Sequence, residues 1–174
     1  MSEDRVSPLP KTGPQTTSEA GDKGDGRPVL KLESFLPYQL NNLAETVSRS
    51  FSKIYAGKYG IGIPEWRVIA TLGEYRSMTA RDISQSTAMH KTKVSRAVAA
   101  LEKRGLILRG RNPADQREQT LKLSAQGSAV YEELIPEALA YSEELQDALT
   151  KEQKALLNDI FERLKSAARN HGDG

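Results

Sequence analysis

At 174 residues the chain has the length of one domain plus a tail, and its mean hydropathy of -0.57, with no run near the roughly 18 apolar residues of a membrane span, describes a soluble protein. It has no cysteine, which removes disulfides, thiolate metal sites and thiol redox sensing; the N-terminus lacks the charged-then-apolar pattern of an export signal, so a cytoplasmic location is expected. The net charge of +2 conceals a division: residues 76–118 hold ten Lys and Arg against four acids, net +6, whereas residues 124–174 hold five basic and ten acidic side chains, net −5, a pattern suited to a polyanion on one face and a different contact on another.

Residues 1–31 are rich in Ser, Thr, Pro, Gly and charge, and read as a flexible N-terminal tail that cannot bury enough surface to offset its ordering entropy. From Ser34 the pattern changes. Leu36, Leu40, Leu43, Val47, Phe51 and Ile54 recur at intervals of three and four, which predicts an amphipathic helix over 34–57, ended by Gly57, Gly60 and Gly62. Pro64 opens a second helix carrying Trp66, Val68, Ile69 and Leu72, and a short break follows at Arg76–Ser77. Thr79-Ala-Arg-Asp82 has the form of a capping box and starts a short helix over about 79–86. Ser86–His90 form a turn, and Lys91–Arg104 form another helix with Val94, Val98 and Leu101 inward and Gly105 as its stop.

Two strands follow, Leu106–Arg111 and Thr120–Leu123, separated by the turn chemistry of Asn112–Arg117. Ser124 caps a helix running to about 148, with a bend expected near Pro136. Thr150-Lys-Glu-Gln153 is a second capping box. It opens a last helix, to about 169, with Leu156, Leu157, Ile160, Phe161 and Leu164 on its inner side. The fold class is mainly α (α+β): a winged helix-turn-helix unit over 64–123, with helices before it (34–57) and after it (124–170).

At 100° per residue, placing Val94 inward puts Thr92, Ser95, Arg96, Ala99 and Lys103 on the opposite face of the helix 91–104. Small side chains there let a helix sit deep in a major groove, where hydroxyls and Arg reach base edges. Lys91 and Lys93 flank that face and suit phosphates. On the hairpin tip, Arg111 and Arg117 can enter a narrow minor groove, and Asp115 can orient a neighbouring Arg.

Residues 64–128 resemble the MarR (multiple-antibiotic-resistance regulator) family. The similarity is carried by Lys91-Thr-Lys-Val-Ser-Arg-Ala-Val-Ala-Ala-Leu-Glu-Lys-Arg-Gly-Leu-Ile107, by Asp115-Gln-Arg117 and by Leu121-Lys-Leu-Ser-Ala-Gln-Gly127. The flanking helices match the family's layout. The resemblance implies a homodimer joined through its N- and C-terminal helices, binding a pseudo-palindromic duplex operator and commonly repressing, with release by small phenolic or anionic ligands in many members. It assigns Lys91, Thr92, Lys93, Ser95 and Arg96 to a recognition helix, Arg117 to the wing arginine and Asp115 to its acidic companion. His90 departs from the Asp, Ser or Thr that many relatives carry at the N-cap. A neutral His caps poorly and a protonated one opposes the helix dipole, so it reads as an exposed turn residue rather than a pH sensor.

Family ligands often lodge between the dimer helices and the winged unit, where Tyr38, Tyr55, Tyr59, Trp66, Arg67 and Tyr75 could line a pocket; aromatics at helical spacing also serve as simple core. Two histidines, no cysteine, no Gly-rich phosphate loop and no paired metal-ligand spacing leave catalysis, a metal or a cofactor little to work with. The competing reading is a winged-helix protein-interaction module without specific DNA binding.

Overall fold

The computed structural model describes residues 28–111 and 119–170. Asp115 and Arg117 lie outside the described residues, as do His171 and nearly all of the tail expected over 1–31. In chain order the elements are a 3-10 turn (Leu32–Ser34), α1 (Leu36–Tyr59), α2 (Ile63–Tyr75), β1 (Met78–Thr79), α3 (Ala80–Thr87), α4 (Lys91–Lys103), β2 (Ile107–Arg111), β3 (Gln119–Leu123), α5 (Ala125–Asp147) and α6 (Lys151–Asn170).

Residues 28–39 belong to a local unit of their own, in which the Gln39 side-chain amide donates to the Glu33 carbonyl at 2.7 Å. From residue 40 onward the chain builds the core. The expected inward stripe of α4 is buried at Val94, Val98 and Leu101, joined by Ala97. It meets Val68, Ile69 and Leu72 of α2, Ile83 of α3, Leu106, Ile107, Leu121 and Leu134. Each such side chain contributes roughly 1.5–3 kcal/mol on burial, so this cluster holds α2, α3 and α4 as one unit.

The sheet corrects the two-stranded expectation. It has three antiparallel strands in the order β1-β3-β2, with Met78 opposite Leu121 and Thr79 opposite Thr120 on one side of β3, and Ile107 opposite Leu123 through Arg111 opposite Gln119 on the other. The stretch taken as a break after Arg76–Ser77 thus continues directly into an edge strand, too short to show an alternating pattern. Gly57 is also reassigned: it lies inside α1, and the helix closes at Gly60, whose φ of +57° suits a C-terminal glycine.

Local capping fixes the remaining boundaries. Thr79 Oγ1 accepts from the Asp82 N–H at 3.1 Å while Asp82 Oδ2 accepts from the Thr79 N–H at 3.2 Å, the reciprocal pair read from the sequence. Thr150 and Gln153 repeat it at α6, at 2.8 and 3.3 Å. Ser124 Oγ caps α5 by accepting from Gly127 N–H at 3.0 Å and ties back to the Gly105 carbonyl at 2.6 Å. α5 is one helix with Pro136 inside it. Among the described residues α6 has none that is buried: its apolar stripe leaves Leu156 56%, Ile160 47% and Phe161 41% exposed.

Candidate nucleic-acid interface

The helix pair α3–α4 is set by a three-residue turn, Ala88–His90. Ala88 takes the left-handed conformation (φ 52°, ψ 27°), a position that costs a non-glycine residue about 1 kcal/mol or more. Neighbouring contacts hold it there. Met89 is buried in the core, Ser84 Oγ donates to the Met89 carbonyl at 2.6 Å, and Thr87 Oγ1 donates to the Ile83 carbonyl at 2.6 Å. The turn into α4 is therefore held by the burial of Met89 and by Ser84 reaching to it from α3.

On α4, Thr92, Ser95, Arg96, Ala99 and Lys103 are exposed opposite the buried stripe, and Lys91 and Lys93 are exposed beside that face. No ion pair engages Lys91, Lys93 or Arg96 among the described residues. His90 is the N-cap: it is exposed, and its Nδ1 accepts from the Thr92 N–H at 3.3 Å, a long contact that requires an unprotonated Nδ1. The expectation of an exposed turn residue stands, with a weak capping role added.

Two members of the basic segment are committed elsewhere, so its charge overstates what a polyanion can meet. Arg104 Nη1 donates to the Gly60 carbonyl at 3.1 Å, and Nη2 donates to the Tyr59 carbonyl. Arg109 forks onto Glu102, with Nη2 to Oε2 at 2.7 Å, and this hydrogen bonding holds the Glu102 carboxyl below its ordinary range. Arg111 ends β2 opposite Gln119, at the threshold of the hairpin tip. One cation was missed as a site residue: Arg81, in the first turn of α3, lines a depression of about 270 Å³ with Ala80, Lys91 and Ser95. Its signal was spatial, since ten positions separate Arg81 from Lys91.

The MarR family model matches residues 61–119, from the start of α2 to the start of β3. FarR of Neisseria gonorrhoeae, an HTH-type transcriptional regulator, is 29% identical over 100 residues, covering 58% of this chain and 68% of that protein. A MarR/EmrR family transcriptional regulator from Acinetobacter sp. ADP1 superposes with a TM-score of 0.73 at 26% identity, over 81% of this chain and 99% of that one. The chain thus resembles the MarR family in sequence over residues 61–119 and in fold over about four fifths of its length. NadR, solved in complex with 4-hydroxyphenylacetate, is a further structural neighbour, with a TM-score of 0.66 and 25% identity over 79% of this chain and 97% of that one. These homologues are transcriptional regulators rather than enzymes. None of its described helices is long and apolar enough to cross a membrane.

In this MarR-family fold Tyr55, Trp66 and Arg67 come together on one cavity of about 300 Å³, with Val47, Ser48, Phe51 and Tyr141 also on its walls. The rings form a cluster: Phe51 and Tyr141 are stacked at 5.3 Å, Tyr55 and Trp66 at 5.6 Å, and Phe51 meets Trp66 edge-on at 5.5 Å. Arg67 Nη2 donates to Ser48 Oγ at 3.2 Å, and Tyr141 donates to the Val47 carbonyl at 3.1 Å. Burial pushes the Tyr55 phenol up to about 12, against the opposing pull of Arg67, so it stays a neutral hydroxyl at physiological pH.

Tyr38, Tyr59 and Tyr75 do not line this cavity, which corrects the six-residue grouping. Tyr75 lies nine residues beyond Trp66, about 180° round the helix, and is exposed. Tyr59 sits one turn past Tyr55 with Lys58 Nζ 5.3 Å above its ring, and Tyr38 is exposed in the first turn of α1. Ser48 and Tyr141 were missed because a serine inside a helical stripe and a tyrosine in a distant helix carry no local signal of a shared wall.

Proposed function

We propose that the chain binds a pseudo-palindromic duplex operator as a homodimer and represses from it, with α4 in the major groove and the hairpin in the flanking minor groove. The observation that carries this reading is the exposed face of α4, where Thr92, Ser95 and Arg96 stand opposite a buried apolar stripe with Lys91 and Lys93 exposed beside them. Small and hydroxyl side chains admit the helix to the groove, Arg96 is suited to a base edge and Lys91 and Lys93 to phosphates. Arg111, Asp115 and Arg117 are assigned to the wing. The apolar stripe of α6, exposed among the described residues, supports pairing of two copies. A dimer then sets two α4 helices one duplex turn apart, about 34 Å.

The cavity beside Arg67 supports release by a small aromatic acid. Its rings supply apolar walls, Arg67 supplies a cation, and Ser48 and the neutral Tyr55 hydroxyl supply polar handles. That NadR was solved with 4-hydroxyphenylacetate is in keeping with this chemistry.

The test is selection of bound sites from a random duplex pool at two salt concentrations. An enriched inverted repeat, bound more weakly at high salt, is the expected result. Absence of duplex binding by a folded, ligand-free chain overturns the reading in favour of a protein-interaction module. Arg117→Ala is expected to weaken binding strongly while leaving assembly intact; unchanged affinity removes the wing from the mechanism.

A further inference from the structure

α1 and α4 are related differently at the two ends of α4. At its N-terminal end a cavity of about 490 Å³ lies between α1, at Asn41 and Glu45, and Met89 and Lys93, with Pro64 and Arg67 of α2 on its wall. At its C-terminal end Arg104, the C-cap residue of α4, donates to the carbonyls of Tyr59 and Gly60, the last residue of α1 and the one that closes it. Among the described residues these hydrogen bonds are the direct polar link between the two helices.

The chemistry of that link is specific. The final carbonyls of a helix lack intrahelical donors and carry the negative end of its dipole. A guanidinium can satisfy two of them at once with a planar, always-charged fork, which an ammonium cannot do with the same geometry. One and two turns before Tyr59, the same helix carries Tyr55 and Phe51, which wall the aromatic cavity. A displacement of α1 by an occupant of that cavity therefore reaches α4 through a direct polar contact at the Arg104 end, beside the apolar packing that runs through α2.

We propose that Arg104 is a positioning residue, coupling the state of the aromatic cavity to the orientation of α4. This rests on the DNA-binding reading of α4 given above. The helix has 13 residues and so spans about 20 Å. A rotation of about 5° about its anchored C-terminal end carries Lys91 by nearly 2 Å, at the rise per residue of an α-helix. That is enough to break a hydrogen bond to a base or phosphate, whose useful range is a few tenths of an ångström. The ion pair of Glu102 with Arg109, on the same last turn, ties the hairpin to the same joint.

The experiment is a double-mutant cycle on affinity for the duplex recovered by selection. Ser142→Phe places a ring at the mouth of the cavity as a built-in occupant; Arg104→Met keeps the aliphatic stem and removes the donors. Filling the cavity is expected to change affinity by about fivefold or more in the otherwise unaltered chain, and by less than about twofold in the Arg104→Met background. Loss of affinity in Arg104→Met alone says nothing about coupling; the ratio of ratios does. Arg104→Lys, which retains charge without the fork, is expected to fall between the two and keeps the test available where the methionine variant does not fold. Equal fold-changes in both backgrounds overturn the proposal, as does a filled cavity without effect on the unaltered chain. Failure of the unaltered chain to select any duplex is a separate result, overturning the DNA-binding reading before any variant is made.

Discussion

The Arg109 guanidinium clasps the Glu102 carboxylate with one edge and reaches the Gln119 amide oxygen at 3.0 Å with the other, joining β2, β3 and the last turn of α4 at a single side chain. The hairpin is thus braced against the helix at its base, however its tip is arranged.

That brace has a pH signature. Hydrogen bonding from Arg109 lowers the Glu102 carboxyl from its ordinary value. A carboxylate depressed in the folded state contributes stability that is fully present above its unfolded value, about 4.3, and is lost as pH falls through the lower folded value. Both partners are partly exposed, so the contribution is about 0.5–1 kcal/mol. Glu102→Gln is expected to lose that amount at pH 7 in urea unfolding, and the gap from the parent should close below about pH 4. A gap that does not vary with pH would assign the loss to packing.

Arg81 and Lys91 border one depression, from successive helices. This placement suits a phosphate rather than a base. Arg81→Ala is expected to weaken binding several-fold for all duplexes alike and to reduce the slope of log affinity against log salt by about 1. Arg96→Ala should instead relax sequence preference. An altered preference in the Arg81 variant would move that residue into base reading.

What was legible in the sequence was the part fixed by local chemistry. Val94, Val98 and Leu101 repeat at helical spacing, and Thr79 with Asp82 marks a helix start by itself, so α3 and α4 could be drawn within a residue or two. β1 could not: Met78 and Thr79 are a strand only because Leu121 and Thr120, more than 40 positions away, accept the pairing. Gly57 looked like a terminator because glycine is a poor helix former, yet the cost, about 1 kcal/mol, is small beside the packing of Phe51 and Tyr55. Arg104 was counted as polyanion-facing because charge shows in a sequence and a carbonyl partner does not. The cavity was half legible: Tyr55, Trp66 and Arg67 converge on it, but Tyr141 arrives from α5, and only the fold brings it there.

Gly127 offers a sharp check on the junction between hairpin and α5. A Cβ built there would lie 1.9 Å from the Leu106 carbonyl oxygen, and Leu106 also accepts from the Ser124 N–H at 3.0 Å. Backbone on both sides leaves nothing flexible to give way. Gly127→Ala, harmless in an ordinary helix, is expected to destabilise by about 2–3 kcal/mol through overpacking, read as a lower urea midpoint with unchanged slope. A neutral effect would mean that α5 does not enter against Leu106 as described.

The stripe on α6 makes the final prediction. Leu156, Ile160 and Phe161 lie on one side of a helix that has no buried residue among the described ones. Exposed apolar side chains of this size, repeated at three- and four-residue spacing, need a partner surface, and each contributes roughly 1.5–3 kcal/mol once covered. In a homodimer the partner is a second copy, so replacing Leu156 and Ile160 by Asp together removes two apolar contacts per copy and brings charges into the interface. Light scattering is expected to give the monomer mass for this variant, with the helical content and the α2–α4 core retained. Affinity for an inverted repeat should fall by about 100-fold or more, because the second half-site is no longer held at high effective concentration. A variant that keeps the dimer mass would place the joint elsewhere, and one that unfolds outright would show that α6 is covered within the chain.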